Sequence, residues 1–474
     1  MESLPIKDNK YVGNEGPNLE FKSALKGIPD SVWDTYSAFA NTHGGRIILG
    51  INDQTKELEG VTKPDNRIQD LWNCLNNREI VNHNILVNDD IWRCDVGDKT
   101  LIVIDIPPAD RYLRPIYHRR VETGTFKRNG EGDFRCRMPE IALMFRDQSE
   151  VSYDTTILED TTFEDIDIDT LREFRNSMVS VSPDHPWKKT TDEDLLFKIG
   201  GMAKKGNQMR LTLAGLLMFG KEYRIYSAVP NYKLDYQEYR NGGKIWTYRL
   251  VTGDGTWNGN IFNFYNNVIG RLTIDFDKPL IIGSDMVRVE DTDDRKAVRE
   301  CLLNALIHAD YLGNLTVKVV KTKDAITISN SGSFRIPLQI AKEGGVSDPR
   351  NRTIAKMFSM VGLVERAGAG INLICGVWED RYGRDPMITE DVEYDIVSFT
   401  LPNRYPRRGE DLDEGIIGMI KRNPKMTIPE MARKLEVSVP TITNHLKVLK
   451  EDGKVVRIGG TRGYWEVCRP PSRH

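Results

Sequence analysis

The sequence has no apolar run that approaches the ~18 residues needed to cross a membrane, which excludes the spanning-helix class. Its first residues, MESLPIKDNK, lack the apolar core of a secretory signal, so a cytoplasmic location is expected. Six cysteines (Cys74, Cys94, Cys136, Cys301, Cys375 and Cys468) stand singly with no C-x-x-C pair. Neither a disulfide framework nor a zinc knuckle is indicated, and the thiols are expected to be reduced and mostly buried. His43, His118 and His185 are isolated, so neither a zinc-ligand cluster nor a Ser-His-Asp order is visible. The stretch GDGTWNG reads as a tight turn, because G-x-x-x-x-G-K-[ST] is absent. Repeats and low-complexity tracts are also missing.

What is present describes a globular chain. An apolar fraction of 39% and a charged fraction of 28% allow a real core, and 474 residues suggest about three domains at ~150 residues each. Charge is unevenly placed. From Lys421 onward twelve Lys/Arg face five Asp/Glu, a balance of +7, which leaves −10 on residues 1–420 of a chain whose total is −3. That tail is suited to meet a polyanion.

The pattern of elements is mixed α/β. LEFKSAL precedes a helix over 31–41, then strands in RIILGIND and TLIVIDIPP, the turn-bearing GTFKRNG, and a helix starting at MPEIALMF. Acids and threonines thicken around 150–170, which suggests a linker. LTLAGLLMFG is helical, NYKLDYQEY a strand, and LTVKVVK and AITISNSG two more strands, with a helix after GAGI. Trp246, Tyr248, Trp257, Phe262, Phe264 and Tyr265 read as core and interface, and a homo-oligomer is expected. A Pro/Arg/Asp-rich stretch over 402–414 is a second expected linker. The expected organisation is thus an α/β and α+β multidomain chain with parts at 1–150, 165–402 and 411–474.

The last part reads as a winged helix-turn-helix. DEGIIGMIKR and TIPEMARKL are amphipathic helices, PTITNHLKVLKEDG is a third with Ser438 as its N-cap and Gly453 as its stop, and KVVRIGG and GYWEV make the wing. In that arrangement the third helix enters the major groove of duplex DNA. Thr441, Thr443, Asn444 and Lys447 then face base edges, while Lys450, Arg457 and Arg462 meet phosphates.

RECLLNALIHADY sets Glu300, Asn304 and His308 at four-residue spacing on one face of a helix, beside an apolar stripe. Further on, ISNSGSF carries Asn330 and Gly332, and ERAGAGI carries Gly368 and Gly370. Glycines let backbone N–H groups approach phosphate closely. The three segments, in this order, resemble the N-box, D-x-G box and glycine-rich phosphate loop of the GHKL-type ATP-binding fold of gyrase B, Hsp90, histidine kinases and MutL. Three departures stand out: Asn330 replaces the usual Asp, Phe334 stands where a second glycine is expected, and the lid between the boxes is short. The resemblance implies ATP as ligand, with Asn304 holding Mg²⁺ and Glu300 placing water in a weak ATPase. His308, Asn330, Gly332, Gly368 and Gly370 would complete the site.

The N-terminal GNEGPNLEFKSAL, AFANTHGGRIILGINDQTKELEGV and GTFKRNG…RMPEI resemble the Schlafen AlbA-type domain of RecG-like transcriptional regulators. Such proteins join it to a divergent ATP-binding segment and a winged helix. Two readings of the domain stay open. In one it binds nucleic acid through Lys22, Arg46, Lys127 and Arg128, with Gly44-Gly45 allowing close approach. In the other, Glu15, Glu20 and Asp53 hold Mg²⁺ or Mn²⁺ and cleave RNA as in animal Schlafen nucleases, with Lys22 neutralising developing charge. The expected function is that of an ATP-binding, nucleic-acid-binding transcriptional regulator. The alternative is a metal-dependent endoribonuclease controlled by its ATP-binding segment.

Overall fold

Gly45–Leu49 and Lys99–Ile106, both rich in β-branched residues, form the centre of the first sheet. The computed structural model describes residues 4–239, 245–274, 292–313, 315, 317–364, 370–382, 385–402, 412–435, 437–451, 454–459 and 463–467, without the side chains of 381, 414 and 451. The chain divides into two units, residues 1–151 with 335–337, and residues 152–334 with 338–474.

In the first unit the strand order is Leu19–Lys22, Gly45–Leu49, Lys99–Ile106, Ile91–Val96. The outer strand Leu19–Lys22 runs parallel to its neighbour, and the other pairs are antiparallel. Alternate side chains leave opposite faces of a strand, so Ile47 and Leu49 join Trp33, Tyr36, Phe39, Leu71 and Leu75 on one side. Ile48 joins Phe21, Ile51, Leu58, Leu101 and Val103 on the other. The first of these cores is covered by the helices Ser31–Ala40 and Pro64–Leu75.

The second unit is built on a six-stranded sheet in the order Tyr248–Val251, Leu234–Glu238, Val317–Lys321, Ala325–Ser331, Ile396–Pro402, Met387–Asp391. Only the pairing of Leu234–Glu238 with Val317–Lys321 is parallel among these. One face is apolar through Leu250, Tyr236, Val319, Ile328 and Phe399, which pack with residues of the helices Leu213–Phe219, Ile261–Leu272, Asp293–His308 and Arg352–Met360. Phe262, Phe264 and Tyr265 lie in that core, whereas Trp246 is exposed beneath the Arg249 guanidinium.

At the C-terminus, helices Leu412–Arg422, Ile428–Lys434 and Val439–Glu451 pack with the hairpin Val455–Ile458 and Tyr464–Val467. Their shared core holds Ile416, Ile420, Met431, Leu435, Ile442, Leu446, Leu449 and Trp465. Among the described residues no helix is long and apolar enough to cross a membrane.

Two expectations change. The acid- and threonine-rich stretch around 150–170 is packed rather than linking: Ser152, Asp154, Thr161, Ile166 and Thr170 are buried. Its acids serve as helix caps. Asp154 Oδ2 accepts from the Thr353 and Ile354 amides at 2.8 and 3.0 Å, and Asp167 Oδ1 from the Thr170 amide at 2.8 Å. Among the described cysteines, all free, Cys136 and Cys301 are buried but Cys74, Cys94 and Cys375 are half-buried. Gly453 and Cys468 lie outside the described residues, as does the larger part of the second expected linker.

Candidate functional site

Asp293–His308 is one continuous helix, started by acids Asp293 and Asp294 in its first turn. From Cys301 to Asp310 every residue is buried except Asn304 and His308, which are half-buried, as is Glu300. A helix buried on most sides that keeps one four-residue polar stripe accessible has that stripe at a cleft or contact, not at bulk solvent.

Gly370 opens the helix Gly370–Tyr382 and meets this stripe. A Cβ at Gly370 would stand 2.3 Å from Glu300 Oε1 and 2.8 Å from Asn304 Nδ2. A side chain there would push the Glu300 and Asn304 tips aside, so the later glycine segment and the polar stripe are brought together. Gly368 lies outside the described residues.

Gly332 is the third component. Its φ of +98° lies in the region that favours glycine, and a Cβ would come within 3.0 Å of the Arg350 Nε and Nη2 atoms. Its amide donates to the Asp395 carbonyl at 2.8 Å, and the Ser333 hydroxyl donates to Asp395 Oδ1 at 2.8 Å, which fixes the turn. Asn330 is buried, and its Nδ2 donates to the Ser331 carbonyl at 2.9 Å, so this amide is engaged with local backbone.

The donor set is chemically compatible with a magnesium ion. Glu300 and Asn304 supply a carboxylate and a carboxamide, the oxygen ligands that Mg²⁺ prefers beside phosphate oxygens, and Gly370 keeps backbone close to both. Sequence reasoning passed over Arg350 and Asn351. Arg350 is buried and donates from Nε to the His308 carbonyl and from Nη2 to the Ser333 carbonyl, each at 3.2 Å. Arg350 and Asn351 sit in a Gly-, Arg- and Asn-rich stretch over 343–352 that has no helical or strand period to mark them.

In the first unit the four basic residues expected at phosphate, Lys22, Arg46, Lys127 and Arg128, are each paired with an acid of the chain. The Arg128 guanidinium, almost fully buried, donates to Glu20 Oε2 at 2.9 Å, to Asp133 Oδ1 at 2.8 Å and to the Gly16 carbonyl at 2.9 Å. Lys22 Nζ donates to Glu20 Oε1 at 2.5 Å. Arg46 holds Asp105 through two bonds of 2.6 and 3.2 Å, and Lys127 lies 4.0 Å from Glu140. Glu15 Oε1 accepts the Phe21 amide at 2.7 Å along the outer strand. Burial pushes the Glu15 carboxyl above its ordinary range, against the pull of the Phe21 amide and with the charges of Glu20 and Asp53 adding to the rise. Asp53 is exposed on a turn whose amides at Gln54 and Thr55 are capped by Asn52 instead. Among the described residues no group of three or more His, Cys, Asp or Glu is arranged to hold a metal ion. For Glu15, Glu20 and Asp53 the physical reason is that both oxygens of Glu20 are taken by cations and Glu15 serves the backbone.

On the winged helix, Val439–Glu451 buries Ile442, Leu446 and Leu449 and exposes Thr443, Asn444, Lys447 and Lys450. Thr441 is half-buried, and its amide is capped by Ser438 Oγ at 3.3 Å. Arg457 on the hairpin lies over the Trp465 ring, 4.9 Å from its centroid. Arg462 lies outside the described residues.

Comparison with known proteins matches residues 15–137 to the family Schlafen, AlbA_2. Residues 142–235 match a domain of unknown function, DUF8451. Residues 315–399 match the family described as Putative ATP-dependent DNA helicase recG C-terminal, and residues 410–456 match Winged helix-turn-helix DNA-binding. The helix carrying Glu300, Asn304 and His308 lies just before the third match. No curated protein matches the chain. Among solved structures, the DIP2311 protein of Corynebacterium diphtheriae is 20% identical, with a TM-score of 0.40, over 98% of this chain and 82% of that one. The N-terminal domain of a RecG-related protein from Nitrosomonas europaea is 32% identical, with a TM-score of 0.19, over 25% of this chain and 83% of that one. Within the chain, a segment similar to the Schlafen AlbA_2 domain is thus followed by one similar to the RecG C-terminal family and by one similar to a winged helix-turn-helix.

Proposed function

We propose that this chain is a cytoplasmic regulator that binds Mg-ATP in its second unit and duplex DNA through its winged helix. The observation that carries the nucleotide reading is the meeting of Gly370 with Glu300 and Asn304, three residues from two segments of the expected site. Asn304 would hold the metal through its carboxamide, and Glu300 would orient water if hydrolysis follows. His308 stands one turn further along, toward Gly332. Bound magnesium supplies positive charge against the phosphate oxygens. The matched ATPase-like segment supports nucleotide binding as such.

DNA binding is supported by the winged-helix match and by the exposed row Thr443, Asn444, Lys447 and Lys450. For the N-terminal domain, the engagement of Glu20 with Lys22 and Arg128 speaks against metal-dependent cleavage, and it equally takes Lys22 and the buried Arg128 out of phosphate contact. The test is to mix the purified protein with labelled tRNA, single strands and duplex DNA, with and without Mn²⁺. Retention of duplex without cleavage is expected, and metal-dependent cleavage of RNA would replace the regulator with the nuclease.

A further inference from the structure

Arg350 and Asn351 form adjacent hydrogen-bonded anchors that no part of the nucleotide reading uses. The helix Asp293–His308 ends with carbonyls that have no partner within the helix. Asn351 takes two of the carbonyls at this end, its Nδ2 donating to Ile307 at 2.9 Å and Ala309 at 2.8 Å, while its amide donates to Ile307 at 3.1 Å. Arg350 takes the His308 carbonyl between them and, with the same guanidinium, the Ser333 carbonyl one residue after Gly332. Both residues are buried. The Gly332 Cα leaves room for the guanidinium, since a Cβ there would press on Nε and Nη2.

The loop is held from behind as well. The Ser152 hydroxyl donates to the Arg350 carbonyl at 2.8 Å and accepts the Arg352 amide at 3.0 Å, and Asp154 caps the next two amides. A planar fork fixed at both ends sets a distance and an angle between two backbone segments, which a flexible ammonium does not do.

We propose that Arg350 and Asn351 are positioning residues of the nucleotide site, which lock the His308 end of the helix to the Gly332 turn, the end away from Glu300 and Gly370. This rests on the nucleotide reading above. The magnesium end, where Gly370 meets Asn304 and Glu300, lies one to two turns back along the same helix and is built without them. Loss of the clamp therefore weakens nucleotide binding with and without magnesium alike, whereas loss of Asn304 weakens only the magnesium-dependent part.

Calorimetric titration with ATP, in Mg²⁺ and in EDTA, separates the two ends. Arg350→Ala is expected to weaken ATP by about tenfold in both conditions, the scale of one or two lost hydrogen bonds, and to leave the ratio between conditions unchanged. Asn351→Ala should do the same, and Asn304→Ala should collapse the ratio. If Arg350→Ala does not fold, Arg350→Lys is read in its place; lysine reaches one carbonyl but not both, so a smaller loss in the same pattern is expected. Wild-type affinity in the folded variants would overturn the clamp alone. A collapsed magnesium ratio in Arg350→Ala would overturn its placement away from the magnesium end. A wild type that takes no nucleotide in either condition would overturn the nucleotide reading and the clamp with it.

Discussion

Gly370 sits against Glu300 so closely that a Cβ on it would come within 2.3 Å of the Glu300 Oε1 atom. Helix start and polar stripe therefore depend on one missing methyl group. The neighbouring atom is the far end of a side chain that can swing away, so Gly370→Ala should cost the fold at most ~1–3 kcal/mol, the usual scale of overpacking. It should nonetheless displace Glu300 and Asn304 from their shared position and lower Mg-ATP affinity by more than about tenfold, equivalent to ~1.4 kcal/mol. Chemical unfolding and calorimetric titration of the same variant check both halves; unchanged affinity would remove these residues from the site.

Arg128 joins Glu20 and Asp133 in a buried ion network. Removing the cation leaves two carboxylates without it, so Arg128→Met should cost roughly 3–5 kcal/mol. Glu20→Gln keeps the shape but gives up charge-assisted bonds to Lys22 and Arg128, and should cost ~1–3 kcal/mol. A urea titration decides the role: wild-type stability for Glu20→Gln, together with lost RNA cleavage, would return Glu20 to a catalytic part.

Asp154 gives a pH dependence. Burial pushes its carboxyl above the ordinary carboxylate range, against bonds from Ser152, Thr353 and Ile354 that lower it. Folding thus favours the protonated form. The stability this group contributes is complete below the ordinary Asp value of about 3.9 and is lost as pH rises through the raised folded value. Asp154→Asn, which can still accept from the two helix amides, should remove that loss and flatten the stability profile above the ordinary Asp value. Parallel wild-type and variant profiles by urea unfolding would contradict this.

Lys447 and Lys450 stand exposed on the third helix of the winged domain. If each meets a phosphate, the double alanine variant should weaken duplex binding across all sequences and reduce the logarithmic salt slope by about 0.9 per lost contact. Thr443→Ala and Asn444→Ala should instead change which sequence is preferred. Fluorescence anisotropy at several salt concentrations distinguishes the two outcomes, and an unchanged slope would move DNA contact away from this helix.

Much of this was legible in the sequence where the signal was local. The four-residue spacing of Glu300, Asn304 and His308 already named the stripe that stays half-buried on an otherwise buried helix. Ser438 and the apolar spacing of Ile442, Leu446 and Leu449 gave the third helix of the winged domain. What escaped depends on distant partners. Arg128 meets Glu20 across 108 positions, and Asp154 caps amides 199 and 200 positions away, so neither pairing leaves a periodic trace. The same holds for Arg350 and Asn351, whose acceptors are backbone carbonyls, present at every residue and therefore silent in sequence. Asp154 misled for a related reason: an acid in a threonine-rich stretch looks solvated until the helix it caps is known.

The most direct test of the nucleotide site is thermal unfolding of the wild type and Asn304→Ala, each with and without Mg-ATP. With ligand a hundredfold above its dissociation constant, the wild type should gain about 2.7 kcal/mol. Asn304→Ala should lose most of that gain while melting, without ligand, close to the wild type. A wild type that Mg-ATP does not shift, beside an Asn304→Ala variant that melts early through ~1–3 kcal/mol of broken internal bonding, would show that the stripe on Asp293–His308 serves the fold and holds no nucleotide.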